Sequence, residues 1–91
     1  MSYVVEFTDE AFDDLADLPA SRWHVVQREI ELVAQAPVAR SRPAGFRLPR
    51  GQMHDFQYRI GSTTYHLAIV FRYAADEQTL SVIAIRQVTQ P

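Results

Sequence analysis

The chain has 91 residues, 47% of them hydrophobic and 22% charged, with a formal charge of −2. At roughly 100–200 residues per domain this is one small domain, spanning 1–91, with no room for a second. The composition is that of a globular domain and excludes a disordered tail or a membrane protein.

A chain of this size buries only about 60–65% of the surface it exposes unfolded, so function is expected on a surface and no large enclosed cofactor pocket is expected. Cysteine is absent, which excludes disulfide frameworks, thiolate metal sites and thiol nucleophiles and fits a reducing compartment. The first residues carry no basic stretch and reach acid at Glu6, so no signal peptide is expected. No apolar run approaches the roughly 18 residues of a membrane span. The expected setting is the cytoplasm, with no membrane partner.

Tyr3, Val4, Val5, Glu6 and Phe7 form a short β-branched and aromatic run that predicts a strand. Thr8 offers a helix N-cap, and Asp9 and Glu10 complement the dipole of the first turn. Over 9–18 the apolar residues Ala11, Phe12, Leu15, Ala16 and Leu18 make a helical stripe, while Asp13, Asp14 and Asp17 are expected on the outer face. Pro19 ends this helix. Ser21 can cap a second helix, whose stripe is Trp23, Val26, Ile30, Val33 and Ala34 and which stops at Ala36-Pro37. So short a join predicts two helices in antiparallel contact.

Residues 37–51 hold three prolines, two glycines and four arginines, and read as a loop or at most a short edge strand. Three strand-like runs follow, 53–60, 64–73 and 79–88, separated by short turns as in a β-meander. The order strand-helix-helix-strand-strand-strand predicts an α+β domain with both helices packed on one face of a mostly antiparallel sheet.

Charge is unevenly spread. Residues 1–17 contain Glu6, Asp9, Glu10, Asp13, Asp14 and Asp17 and no base, whereas 40–59 contain Arg40, Arg42, Arg47, Arg50 and Arg59 against Asp55 alone. Every fixed cation is arginine and none is lysine. A lysine base or Schiff base is thereby excluded, and the positive charges are planar forks suited to phosphate or carboxylate. Codon bias in the source genome explains the missing lysines equally well; the clustering is harder to dismiss.

Alternation along the strands places Tyr65, Leu67, Ile69, Phe71 and Tyr73 in the core with Phe56, Tyr58, Ile60, Ile83 and Ile85. The opposite face then collects Gln57, Arg59, His66, Ala68, Ala84 and Arg86, an imidazole and two guanidiniums beside small alanines. That describes a shallow site for an anionic ligand, conditional on the absence of a register slip or bulge. His66 has the chemistry of a general base or acid near neutrality, and Arg59 and Arg86 that of charge stabilisers. A lone histidine on a strand is more often a hydrogen-bonded surface residue, and Arg59 could equally pair with Asp55 or with the first helix. His54 falls on the core side, and His24 and Trp23 read as structural. The three histidines lack metal-ligand spacing, so no metal is expected.

The order of elements and several local patterns resemble the RelE/ParE superfamily of bacterial toxins from type II toxin–antitoxin systems. The resemblance rests on Tyr3-Val4-Val5-Glu6-Phe7-Thr8 followed by Ala11 and Asp14-Leu15, then Leu18-Pro19, Ala36-Pro37, Leu48 and Gly51, Phe56-Gln57-Tyr58-Arg59-Ile60-Gly61, Tyr65-His66, and Ile83 through Arg86. Members similar to RelE enter the ribosomal A site and cut mRNA without a metal, the ribose 2′-OH attacking the adjacent phosphate; those similar to ParE inhibit DNA gyrase. One fold supports both.

The resemblance implies Arg59, His66 and Arg86 as the catalytic set, with Arg47, Arg50, His54 and Gln57 as RNA contacts. His66 stands where an arginine is common, Gln57 where a lysine is common, and the terminal tyrosine of many members is missing. It further implies a cognate antitoxin as partner, the ribosome and mRNA for a RelE-like activity or DNA gyrase for a ParE-like one, and no cofactor. A family member without toxicity, kept for binding its antitoxin, is the remaining alternative.

Overall fold

The computed structural model describes residues 2–37, 39 and 51–87, with the backbone of 42–43. The elements run β1 (Val4–Phe7), α1 (Asp9–Ala16), α2 (Ala20–Gln35), β2 (Arg42–Pro43), β3 (Gln52–Ile60), β4 (Thr63–Ala74) and β5 (Thr79–Gln87). They build one five-stranded sheet in the order β1-β5-β4-β3-β2. β1 pairs in parallel with β5, and every other pairing is antiparallel. The parallel pair follows from the helices, which return the chain from β1 to the meander and leave β1 beside the last strand. This is the predicted α+β order. Arg47, Arg50 and the loop expected around them lie outside the described residues.

The meander is closed by two different turns. Between β3 and β4 the loop is Gly61-Ser62, with Gly61 at φ 62°. A positive φ at the first central position alone is the II′ pattern that glycine favours. The loop between β4 and β5, residues 75–78, ends on Gln78 at φ 53°, whose side-chain amide donates to the Ala75 carbonyl at 2.8 Å.

α2 and the inner end of α1 cover one sheet face. Ala11, Val26, Ile30 and Val33 meet Phe56, Leu67, Ile69, Phe71, Leu80, Val82 and Ile85 in a single core. At about 25 cal/mol per Å² of apolar surface removed from water, this cluster is the main source of stability. Tyr3 closes one end of it, packing edge-on against Tyr73 with ring centres 6.0 Å apart, while its N–H donates to the Ala34 carbonyl at 2.9 Å.

Five residues depart from these expectations. Phe12 and Trp23, read as stripe residues, are 63% and 43% exposed. Phe12 stands off the helix flank that meets the core, and the Trp23 indole N–H instead donates to the Leu18 carbonyl at 3.0 Å across the bend between the helices. Ile60, read as core, is exposed at the hairpin end of β3. Ile83, read as inward, is the extra residue of a β-bulge: Phe71 pairs with Val82 and Val70 with Ala84. Leu80 and Val82 therefore supply the core before the bulge and Ile85 after it. Asp14, read as outward, turns to the edge of β5, where its carboxylate accepts the Ile85 N–H.

Candidate functional site on the open sheet face

The bulge restores alternation in β5, so Ala84 and Arg86 stay on the face away from the helices. Cross-strand register then assembles that face: Asp55, Ala68 and Arg86 lie in one row, Gln57 beside His66, and Arg59 beside Thr64. Farther along, Arg72 pairs with Ser81, which in turn pairs with Glu6. Ala68 and Ala84 are buried at the floor, and the longer side chains stand around them. Gln57, Arg59, His66 and Arg86 are thus brought to one face, as strand alternation predicts; His54 is not.

His66 is largely covered, and its Nε2 lies 3.5 Å from Asp55 Oδ2. Asp55 sits one row along β3, diagonal to His66, the arrangement in which side chains on a pleated face reach each other. Alternation alone groups Asp55 with this face and offers it to Arg59. The diagonal that gives it to His66 exists only once the β3–β4 register is known. Among the described residues Arg59 makes no ion pair or hydrogen bond, and it is exposed, so its guanidinium is available to an anion.

Arg86 is engaged elsewhere. β1 ends opposite Val82, and α1 takes its place along the edge of β5. Thr8 joins the two: its N–H donates to the Val82 carbonyl, its hydroxyl donates to the Ile83 carbonyl at 3.0 Å, and the same oxygen caps α1 by accepting from Ala11 N–H. One turn on, Asp14 accepts the Ile85 N–H at 3.0 Å and Arg86 Nη1 at 3.1 Å, while Glu10 takes Arg86 Nη2. The Arg86 side chain remains 54% exposed, so it can face an anion while held by two carboxylates.

His54 lies under α2, its Nε2 3.2 Å from Glu29 Oε1 and its ring stacked on Phe56. Nearby, Tyr58 stacks on Tyr65 at 5.3 Å, and Arg22 lies over the Tyr65 ring at 3.9 Å. The Tyr58 hydroxyl is buried without a hydrogen-bond partner among the described residues. Burial pushes its pKa up, and the charge of the adjacent Arg22 guanidinium, with its approach to the hydroxyl at less than full hydrogen-bond geometry, offsets this only in part. A second feature on the helix side is a mainly apolar groove of about 400 Å³ lined by Val5, Phe7, Leu15, Trp23, Val26 and Ile30 together with Gln27 and Glu31. Among the described residues no three histidine or carboxylate side chains converge as a metal-binding group, and no helix is long and apolar enough to cross a membrane.

The sequence matches no protein-family model and no curated protein. Solved structures resemble it closely in shape. The toxin–antitoxin complex RelBE2 from Mycobacterium tuberculosis aligns over 97% of this chain and 100% of its own, with a TM-score of 0.72 and 20% identity. Isolated Escherichia coli RelE toxin aligns over 99% of this chain and 88% of its own, at TM-score 0.71 and 13% identity. The RelE–RelB complex from Pyrococcus horikoshii aligns over 96% of each chain, at 0.58 and 11%. The fold is that of the RelE toxins.

Proposed function

We propose that residues 1–91 form the toxin of a type II toxin–antitoxin pair, acting as a metal-independent, ribosome-dependent mRNA endoribonuclease. The observation that carries this reading is the RelE fold, aligned over 97% of the chain, with an imidazole and an exposed arginine on the sheet face away from the helices.

In this reading RNA crosses the face between β3 and β5. His66 takes the proton of the ribose 2′-OH, the 2′-oxygen forms a bond to the adjacent phosphorus, and the P–O5′ bond breaks. The products are a 2′,3′-cyclic phosphate and a 5′-hydroxyl, whose proton comes from solvent. Arg59 binds the equatorial phosphate oxygens, where charge grows most in the transition state. Arg86 meets the same phosphate or its neighbour from the other side while Glu10 and Asp14 hold it. Gln57 donates to the RNA backbone, and Arg47 and Arg50 serve docking on ribosomal RNA, where a locally basic surface compensates the acidic whole.

A cognate antitoxin is the expected partner; two of the structural relatives are complexes of that kind. The cytoplasm is the compartment this activity requires.

Primer extension on an mRNA in a reconstituted translation reaction, with ribosomes present or omitted, tests the reading. Cuts within the A-site codon that need both ribosomes and protein support it; intact mRNA from folded protein overturns it. A second reading is favoured by the apolar groove on the helix side and by the carboxylate grip on Arg86. In it the chain is a non-enzymatic protein binder, a gyrase inhibitor or an antitoxin-binding relative without toxicity. Loss of gyrase supercoiling with mRNA intact separates the first of these.

A further inference from the structure

Glu10 and Asp14 both hold the Arg86 guanidinium, and we infer that they do so to different ends. Asp14 aims it; Glu10 restrains it, standing on the nitrogen a phosphate needs, so that RNA must displace Glu10 to be gripped by two arms of Arg86. The inference rests on the nuclease reading for the identity of the ligand and on the geometry of these three side chains for the restraint itself.

An arginine grips a phosphate through two parallel N–H donors, either the end-on pair Nη1 and Nη2 or the side-on pair Nε and Nη2. Nη2 belongs to both pairs. It is the nitrogen that donates to Glu10 Oε1, while Nη1 donates to Asp14 Oδ1. A phosphate approaching either pair therefore meets the Glu10 carboxylate at its second donor. Charge acts in the same direction. One guanidinium between two carboxylates leaves the group net negative, and the rest of α1 adds Asp9 and Asp13, with Asp17 at its C-cap. With Glu10 turned away, Arg86 and Asp14 balance, and the side-on pair is open to an anion.

The two carboxylates are not equally free to leave. Asp14 is 14% exposed, and its other oxygen accepts the Ile85 N–H at 3.0 Å, which ties it to the edge of β5. Glu10 is 58% exposed, and among the described residues its side chain has Arg86 as its partner and no backbone donor. It stands in the first turn of α1 on a longer side chain, and it can swing into solvent at the loss of one solvent-screened ion pair.

The test titrates the full chain with a single-stranded oligoribonucleotide at low salt and follows the Arg86 Nε–Hε resonance. Glu10→Gln is expected to bind about 2- to 5-fold more tightly than wild type, the equivalent of one exposed ion pair, and to move that resonance further. Asp13→Asn removes the same charge from the same helix at a residue that makes no side-chain contact with Arg86, and is expected to gain less. In an Arg86→Gln background, Glu10→Gln is expected to gain no more than Asp13→Asn does. In ribosome-dependent cleavage Glu10→Gln is expected to lower KM with kcat little changed.

Equal gains from Glu10→Gln and Asp13→Asn overturn the inference, because net charge alone then accounts for both. So does a gain from Glu10→Gln that persists undiminished without Arg86, or an Arg86 resonance in Glu10→Gln that RNA does not move. Should wild type bind the oligoribonucleotide and yet not cleave mRNA on ribosomes, the nuclease reading falls, and the titrations alone decide whether Glu10 restrains Arg86. If Glu10→Gln does not fold, Glu10→Ala removes the same carboxylate and supplies the same comparison.

Discussion

Asp14 binds Arg86 across 72 residues of sequence, at 3.1 Å, with the same carboxylate that caps the Ile85 N–H. The two contacts differ in kind. Asp14 is 14% exposed and serves a backbone donor at a strand edge that has lost its neighbouring strand, while Arg86 is an exposed partner. Removing the carboxylate leaves a partly buried N–H without an acceptor, and Asp14→Ala is expected to lose about 1–3 kcal/mol. Arg86→Ala removes a solvent-screened ion pair and is expected to lose at most about 1 kcal/mol. Urea unfolding of the two variants measures both. Equal losses would mean that Asp14 acts only as a surface ion.

The grip on Arg86 also orders the expected effects on cleavage. Arg59 is exposed, with no ion partner among the described residues, and can turn wholly to phosphate; Arg86 divides its charge between the ligand and α1. Arg59→Ala is therefore expected to cost about 10²–10³-fold in kcat, as for loss of one transition-state donor. Arg86→Ala should cost less. His66→Ala removes the base and is expected to cost about 10²–10⁴-fold. Growth inhibition in cells should follow the same order, and full toxicity of His66→Ala would remove the catalytic assignment.

His54 belongs to a different part of the molecule from His66, although family resemblance alone places both at the RNA. Its contact with Glu29 ties α2 to β3, and its ring extends the aromatic row through Phe56 and Tyr58. His54→Ala is expected to lower stability by about 1–3 kcal/mol, the range for a hydrogen bond to a charged group plus lost packing. Cleavage per folded molecule should be unchanged. Thermal unfolding and a cleavage assay normalised to folded protein check the pair of statements, and a large kcat loss in folded His54→Ala would put His54 back at the substrate.

What could be read from the chain without a structure follows from what alternation and periodicity encode. The strands β3 and β4 carry a period-2 pattern strong enough to give most of the core set and the open-face set. β5 does not: Leu80, Val82, Ile83, Ala84 and Ile85 are apolar nearly without break, so one extra residue leaves no mark on the pattern, and only pairing with β4 shows Ile83 as the bulge. The acids of α1 mislead for another reason. Asp13, Asp14 and Asp17 share a helical flank, which is outward if a helix lies flat on a sheet; α1 lies along the edge of β5, and that edge turns Asp14 inward. Trp23 and Phe12 fit a helical stripe, but a short helix pair beside five strands cannot bury every apolar residue it carries.

The aromatic row ends in a group whose chemistry is visible in a pH titration. The Tyr58 hydroxyl is buried with no well-formed hydrogen bond among the described residues, although the neighbouring Arg22, which lies over the Tyr65 ring, comes close to it. Burial raises its pKa above the ordinary value, which is about 10 in an unfolded chain. A raised pKa means that the folded state holds its proton more tightly than the unfolded one. Its contribution is fully present below about pH 10 and is lost as pH rises from there through the folded-state value. Tyr58→Phe removes this dependence along with an unsatisfied polar atom, and at neutral pH it is expected to be neutral or stabilising by up to about 1 kcal/mol. Denaturant unfolding at about pH 7 and at about pH 10.5–11, on either side of the ordinary tyrosine value, checks both halves. The stability advantage of Tyr58→Phe should widen at the higher pH, and a loss near neutrality of about 1 kcal/mol or more would reveal a hydrogen bond at the hydroxyl.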